Sequence, residues 1–495
     1  MKYTSTRDKT LRFDAAEAVK MGLSRDGGLL TPCEIPHMDE ALLQGLVHAR
    51  YQERAAKIMG LYLTDYTAEE LASFTENAYG PEKYDCAAVA PVRTVDASTH
   101  CLELWHGPTS AFKDMALQML PQLLSAALRK TGEDKTVCIL VATSGDTGKA
   151  AMEGFADVPQ TKILVFYPKN GVSAVQEAQM LTQEGDNVGV CTVVGNFDDA
   201  QSGVKRIFSD EKLRETLEQR GYFLSSANSI NWGRILPQVV YYISAYCDLV
   251  RDGKLTMGQS VNFCVPTGNF GDILAAYYAK RMGLPVGKLI CASNCNDVLT
   301  DFLRSGVYDR QRPFHNTMSP SMDILISSNL ERLLFDLAGE NDGEIRGYMD
   351  ALARDGKYTV SSEIFAALQA QFWGGCCDEA GCAATISEYY NSKGYLIDTH
   401  TAVAACVMEQ YRKETGDPTP TVFVSTASPY KFCDHVLEAV GQKPRGDGVE
   451  LLSQLHEVSG VTVPRRLAEL AGKARRFDLC CEKAEMDGVV LDFLR

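Results

Sequence analysis

The sequence predicts an α/β protein built on parallel sheets covered by helices, with a helical segment in front. From residue 101 onward, short runs rich in Val, Ile, Cys and Phe alternate with amphipathic helical stretches, the pattern of βαβ units. Each run is almost continuously apolar, as a strand is when helices cover both faces of its sheet. The first hundred residues lack such runs and read as helices.

Residues 1–98 are expected to form a mostly helical unit: a capped segment at FDAAEAVKMGL, a turn at Asp26, Gly27 and Gly28, and two amphipathic stretches ending near Tyr79 and Gly80. Pro91 and polar composition mark a boundary before His100. A smaller α/β domain is expected over residues 99–220 and a larger one over 221–495. The strand candidates are CLELW (101–105), TVCILVAT (136–143), KILVFYP (162–168), VGVCTVVG (188–195), VNFCVPTG (261–268), KLICASN (288–294) and TVFVSTAS (421–428). Helices are expected from Ile230 to about Val250, interrupted by Pro237, and from Asp272 to Met282. Pro121 should kink or end the helix that follows Lys113. Residues 341–395 carry helical patches without strands, and Arg465, Arg466, Lys473, Arg475 and Arg476 read as a solvated helix face.

Composition narrows the function. A chain of 495 residues, 45% hydrophobic and 23% charged, has room for two or three domains and resembles an ordinary soluble enzyme. Its net charge of −15 sets aside sequence-independent nucleic-acid binding, which needs a surplus of Lys and Arg facing phosphates. An anionic ligand must therefore be held by a local pocket. The 16 cysteines are scattered through apolar runs such as VCILV and VNFCVP and read as reduced thiols in a cytoplasm. The pairs Cys376/Cys377, Cys480/Cys481 and Cys291/Cys295 lack the CxxC spacing of a structural zinc site, so no metal is implied. MKYTSTRDKT has no apolar signal-peptide core, and no apolar run reaches the length of a bilayer span, so no membrane partner is expected.

Five segments carry chemistry. In CLELWHGPTSAFKDMALQML, Gly107 and Pro108 end a strand, and Lys113 stands where a helix begins. A buried amine at a helix amino terminus has a lowered pKa, and a neutral amine is the form that condenses with a carbonyl. VATSGDTGKAA places Thr143, Ser144, Gly145, Asp146 and Thr147 at a strand-to-helix turn suited to a carboxylate or phosphate. VPTGNFGDILAAYY gives a second such cradle at Gly268, Asn269, Phe270, Gly271 and Asp272, with neither GK[ST] nor GxGxxG to suggest a nucleotide. SANSINWGR crowds Asn228, Ser229, Asn231 and Arg234 before a long apolar helix, and Arg is suited to bidentate oxyanion recognition. VFVSTASPYKF ends a late strand in Ser425, Thr426 and Ser428, hydroxyls able to meet a heteroaromatic nitrogen. Each loop alone is equally a well-capped strand-to-helix turn.

In this order, HGPTSAFKD, ATSGDTG, NSINWGR, PTGNFGD and STASPYKF resemble fold-type-II pyridoxal-phosphate enzymes, specifically the bacterial and fungal threonine synthase family. YTSTRD, GLSRDGGLLTP, KRMGLP and SPSMDILISSNLERLL extend the resemblance over nearly the whole chain. It implies a tryptophan synthase β-like fold, two open twisted α/β domains behind a helical amino-terminal domain. It implies that Lys113 carries pyridoxal phosphate, that Gly268 to Asp272 cradle the cofactor phosphate and that Thr426 meets the pyridine nitrogen. It further implies that Thr143 to Thr147 hold the substrate carboxylate, while Asn228 and Arg234 hold its phosphate. The implied reaction converts O-phospho-L-homoserine and water to L-threonine and phosphate, in a monomer or small homo-oligomer. The alternatives are a lyase or dehydratase releasing 2-oxobutanoate with the same cofactor, a catalytically silent cofactor-binding homologue, and a nucleotide-binding protein. The chain departs from the family at Lys149, usually a small residue, and at Ser428 and Tyr430, where the family usually reads TAHPAKF. Lys149 is expected to add charge beside the carboxylate loop, and Tyr430 to narrow the pocket rim.

Overall fold

The apolar runs become two helix-covered sheets in the computed structural model of the chain, which describes residues 1–143, 145–169, 171–446 and 448–495, and only the backbone of residue 198. The larger sheet has the strand order Phe372–Cys376, Val286–Ser293, Val261–Pro266, Thr421–Ser425, Thr99–Glu103, Val92–Thr94. All neighbours run parallel except the last pair. The smaller sheet is wholly parallel, in the order Cys480–Glu482, Val188–Val194, Thr161–Pro168, Thr136–Ala142, Tyr222–Ser225. Loops that carry chemistry leave the carboxyl ends of these strands, where open α/β sheets bind ligands.

The expected division at residues 98 and 220 does not follow the sheets. Thr99–Glu103 belongs to the larger sheet, whereas Tyr222–Ser225 and the late strand Cys480–Glu482 complete the smaller one. Parallel neighbours need crossovers, so a strand's place in the chain does not fix its sheet. Here the chain enters the larger sheet, leaves it to build most of the smaller one, and returns.

Residues 341–395 are not purely helical. They include the strand Lys357–Thr359 and the edge strand Phe372–Cys376, sequence FWGGC. Two glycines weaken the strand pattern of FWGGC, yet packing requires them: a Cβ on Gly374 would stand 3.2 Å from Thr300 Cα, and one on Gly375 2.9 Å from Val407. Pro121 acts as its chemistry dictates, since Lys113–Leu117 ends and a new helix, Leu120–Lys130, starts with proline in its first turn. Pro237 does not interrupt Trp232–Arg251. Every residue from Trp232 to Leu249 is buried there, and packing on all sides offsets the ~3 kcal/mol that an interior proline costs.

That helix is the spine of the molecule, touching the amino-terminal helix Tyr51–Tyr62, the helix Gly271–Arg281 and the short helix of Lys113. The buried ion pair of Arg54 Nη1 with Asp248 Oδ1, at 2.7 Å, ties the amino-terminal helices to it. The basic tail is not a helix face. Of its five named cations only Arg465 and Arg466 lie in a helix, Arg465–Ala468, and Arg476 instead donates its amide to Leu181 O and its Nη1 to Gln183 O, each at 2.7 Å. Among the described residues no helix is long and apolar enough to cross a membrane.

Candidate active site

Backbone hydrogen bonds sew the Lys113 turn to the end of strand Thr421–Ser425. Leu104 N donates to Ser425 O at 2.9 Å, Phe112 N to Thr426 O at 2.8 Å, and Ser428 N to Ser110 O at 3.0 Å. Lys113 and Thr426 thus leave neighbouring strand ends. Gly107 is required by close approach, because a Cβ there would lie 2.6 Å from Asp114 Cβ. The Asp114 carboxylate can then fold back on the Thr109 amide at 2.8 Å and hydroxyl at 2.7 Å, closing the turn.

His106 braces this turn between Asp85 at 2.7 Å and Glu103 at 2.8 Å. Burial works against its charge, but the two carboxylates prevail and its pKa is raised to about 9. A raised folded-state pKa contributes stability that is full below the unfolded value of ~6.5 and is lost as pH rises through the folded one. Urea unfolding should therefore show wild type losing on the order of 3 kcal/mol more than His106→Asn between pH 6 and pH 10. Parallel pH profiles for the two proteins would exclude this brace.

Lys113 Nζ lies 3.6 Å from Asp146 Oδ2 and 3.4 Å from Ser321 Oγ, with its side chain 12% exposed. Burial lowers its pKa, Asp146 opposes this, and Arg234 and Lys431 add to the lowering. Asp146 also takes Lys431 Nζ at 3.0 Å and Gln176 Nε2 at 2.9 Å. Burial alone would raise its pKa; the two lysines and Gln176 hold the carboxyl well below the usual range.

This arrangement revises the SGDTG expectation. Asp146 is an anion committed to two lysines, and repulsion unsuits it to a substrate carboxylate. The Thr143 hydroxyl is occupied by the amides of Gly145 and Gly148, both at 2.9 Å. Gly145, at φ 129°, leaves room that Gln176 fills. The amides of Asp146 and Thr147 precede the first intrahelical bond, Lys149 N to Gly145 O, and remain for an anion. Thr147 is half-buried, and Ser144 lies outside the described residues.

In the GNFGD loop, Phe270 adopts a left-handed φ of 63° and sends its ring into the core against Phe372, 5.7 Å between centroids. Asn269 is exposed. Asp272 turns its Oδ1 to the hydroxyls of Tyr241 and Tyr242, and burial raises its pKa to about 6. Its carboxylate thus faces away from an anion in the loop, and its contribution to the cradle is its amide. The amides up to Ile273 remain as donors, since the first intrahelical bond is Leu274 N to Phe270 O. A Cβ on Gly268 would meet Ser321 O at 2.8 Å, so only glycine lets the segment carrying Ser321 cross the loop.

Arg234, 3% exposed, sits in the first turn of the spine helix. Its Nη1 donates to Ala227 O at 2.5 Å, while its Nε is buried without a partner among the described residues. Burial lowers its pKa to about 10, which still leaves it charged at neutral pH. Asn228 Oδ1 is likewise buried and unpartnered, and a flip of the amide would present its two donors instead.

Sequence reasoning missed Lys431, Ser321, Gln176 and His400, all drawn to the Lys113 neighbourhood from remote segments. Lys431 could have been found, for it lies in SPYKF just beyond the hydroxyls singled out there. The departures Lys149 and Tyr430 each have a partner of their own. Lys149 Nζ pairs with Glu153 at 3.0 Å, and the buried Tyr430 gives its hydroxyl to Val461 O.

These residues fit pyridoxal phosphate: a buried amine of lowered pKa for its aldehyde, amides at a helix start beside Gly268 for its phosphate, and Thr426 one strand away for its ring. The comparisons agree. A family profile described as "Threonine synthase N terminus" matches residues 2–79, one described as "Pyridoxal-phosphate dependent enzyme" residues 100–370, and one described as "Threonine synthase, C-terminal" residues 401–489. Human threonine synthase-like 1 is 42% identical over 435 residues; the match covers 86% of this chain and 58% of the human protein, which is thus substantially longer than the matched region. Threonine synthase of Pseudomonas aeruginosa is 40% identical over 446 residues, 90% of this chain and 92% of that one. The crystal structure of pyridoxal-phosphate-bound threonine synthase from Brucella melitensis matches with a TM-score of 0.88 at 37% identity, over 100% of both chains.

Proposed function

The chain belongs to the threonine synthase family of fold-type-II, pyridoxal-phosphate-dependent enzymes, and from that premise we propose that it converts O-phospho-L-homoserine and water to L-threonine and phosphate. The observation that carries the choice of substrate is Arg234. It is a buried cation close enough to Lys113 to lower its pKa, and no carboxylate pairs with it among the described residues. With the substrate carboxylate given to the amides of Asp146 and Thr147, this charge is left for a second anionic group, the phosphate.

Bound at Lys113, pyridoxal phosphate supplies an electron sink for the charge left when a proton leaves the α-carbon of an amino acid. The chain's own residues do the rest. The amides from Asn269 to Ile273 hold the cofactor phosphate, and Thr426 meets the ring nitrogen. The amides of Asp146 and Thr147 receive the substrate carboxylate. Burial beside Arg234 and Lys431 favours a neutral Lys113 amine, able to take and return protons at the α- and β-carbons. Arg234 and Asn228 hold the phosphate and stabilise the charge it gains on leaving. Water must enter only after that departure, so closure of the two sheets' helical layers over the substrate belongs to this mechanism.

The cytoplasm is the location this reading assigns, supported by cysteines that occur throughout the fold as free thiols. The test is incubation of the protein, loaded with pyridoxal phosphate, with O-phospho-L-homoserine, resolving threonine, 2-oxobutanoate and inorganic phosphate. Threonine and phosphate should appear in equal amounts. Product dominated by 2-oxobutanoate would replace this reading with the lyase.

A further inference from the structure

A hydrogen-bonded network links Trp105 to Lys113 through residues to which the reaction above gives no part, its donors converging on Asp398 from both sides. Trp105 Nε1 donates to Ser425 Oγ at 3.1 Å, and Ser425 and Thr401 hydroxyls meet at 3.0 Å. The Thr401 hydroxyl donates to Asp398 Oδ1. Asp398 Oδ2 faces His400 Nδ1 at 2.8 Å, and on the far side of the ring His400 Nε2 accepts from Ser321 N at 3.1 Å. Ser321 Oγ then stands 3.4 Å from both Lys113 Nζ and Asp146 Oδ2.

Donor directions leave one tautomer. An amide can only donate, so Nε2 must carry the lone pair and Nδ1 the proton. Asp398 enforces this as the acceptor facing Nδ1, and it is itself fixed by the amides of His400 at 2.9 Å and Thr401 at 3.1 Å. Capping the helix Thr399–Thr415 explains the carboxylate. It does not explain a fully buried imidazole aimed at the one segment that crosses both Gly268 and Lys113.

We propose that Asp398 and His400 are positioning residues for the reaction at Lys113: they lock Ser321 so that its hydroxyl bridges the Lys113 amine and the Asp146 carboxylate and holds the amine in place. The other charged groups facing Lys113 are Asp272, Arg234 and Lys431, none of which Ser321 touches. This inference rests on Lys113 being the cofactor lysine.

The test uses the full chain loaded with pyridoxal phosphate and titrates its visible absorption against pH, a readout independent of which product forms. Ser321→Ala and His400→Phe, the latter keeping the ring contact with Phe432, should each move the titration midpoint and lower kcat by ~10–100-fold with KM nearly unchanged. His400→Gln, which can restore an acceptor to the Ser321 amide, should recover most of both. The Ser321→Ala/His400→Phe double variant should match the worse single one, since residues acting through one another are non-additive. Additive losses, or losses of kcat with an unmoved midpoint, would leave His400 a structural residue and overturn the proposal. A wild type that binds the cofactor without lysine-linked absorption would overturn the assignment of Lys113 itself, and this proposal with it.

Discussion

Lys113→Ala abolishes the visible absorption of the cofactor-loaded protein and lowers turnover by at least ~10³-fold, while the fold persists. The size follows from losing two roles at one atom, covalent attachment of the cofactor and proton transfer at the substrate carbons, of which the second alone is typically ~10²–10⁴-fold. Persistence of the fold follows from the charges. Asp146 keeps Lys431 at 3.0 Å and Gln176 at 2.9 Å when Lys113 is gone, so no buried anion is stranded, and a desolvated amine is removed. Lys431 is the competitor for the aldehyde, being wholly buried against the same carboxylate. Visible absorption surviving in Lys113→Ala, and lost in Lys431→Met, would move the attachment there.

What the sequence made legible was whatever depends on neighbours in the chain. TVCILVAT and VNFCVPTG each run on through a short turn into a helix that starts at Asp146 or Gly271, and so the order of residues alone places their loops at strand ends. Pro121 marked its helix break for the same reason, because the missing N–H acts locally. The edge strand FWGGC and the late strand Cys480–Glu482 were illegible, since what makes them strands is a partner across the sheet: Val286–Ser293 for one, Val188–Val194 for the other. The candidate site divides in the same way. The turn around Lys113 follows from local chemistry, but the need for glycine at 268 comes from the crossing segment of Ser321, and the environment of Lys113 from Ser321 and Lys431, hundreds of residues away. Side-chain direction was the other blind spot. A carboxylate in a phosphate-like loop is indistinguishable in sequence from one turned to two tyrosines, as Asp272 is.

Arg234→Lys should lower kcat/KM for O-phospho-L-homoserine by ~10²–10³-fold, roughly 3–4 kcal/mol of lost stabilisation of the leaving phosphate. An ammonium cannot reproduce the planar fork, and its shorter reach gives up either the bond to Ala227 O or the ligand. Arg234→Met supplies the complementary evidence. In the absence of ligand the arginine is a buried cation with an unpartnered Nε, a state that costs folding free energy. Removing the charge while keeping much of the volume should therefore raise the thermal midpoint of the ligand-free protein as it removes activity, less the small loss at Ala227 O. Inorganic phosphate discriminates further, because a ligand that binds only the folded state stabilises it by mass action. Phosphate should raise the midpoint of wild type and leave that of Arg234→Met unmoved, with cofactor absorption retained in both. A Met variant that melts lower than wild type and is still stabilised by phosphate would make Arg234 a structural cation bonded to its own loop, and the substrate phosphate would have to be sought elsewhere.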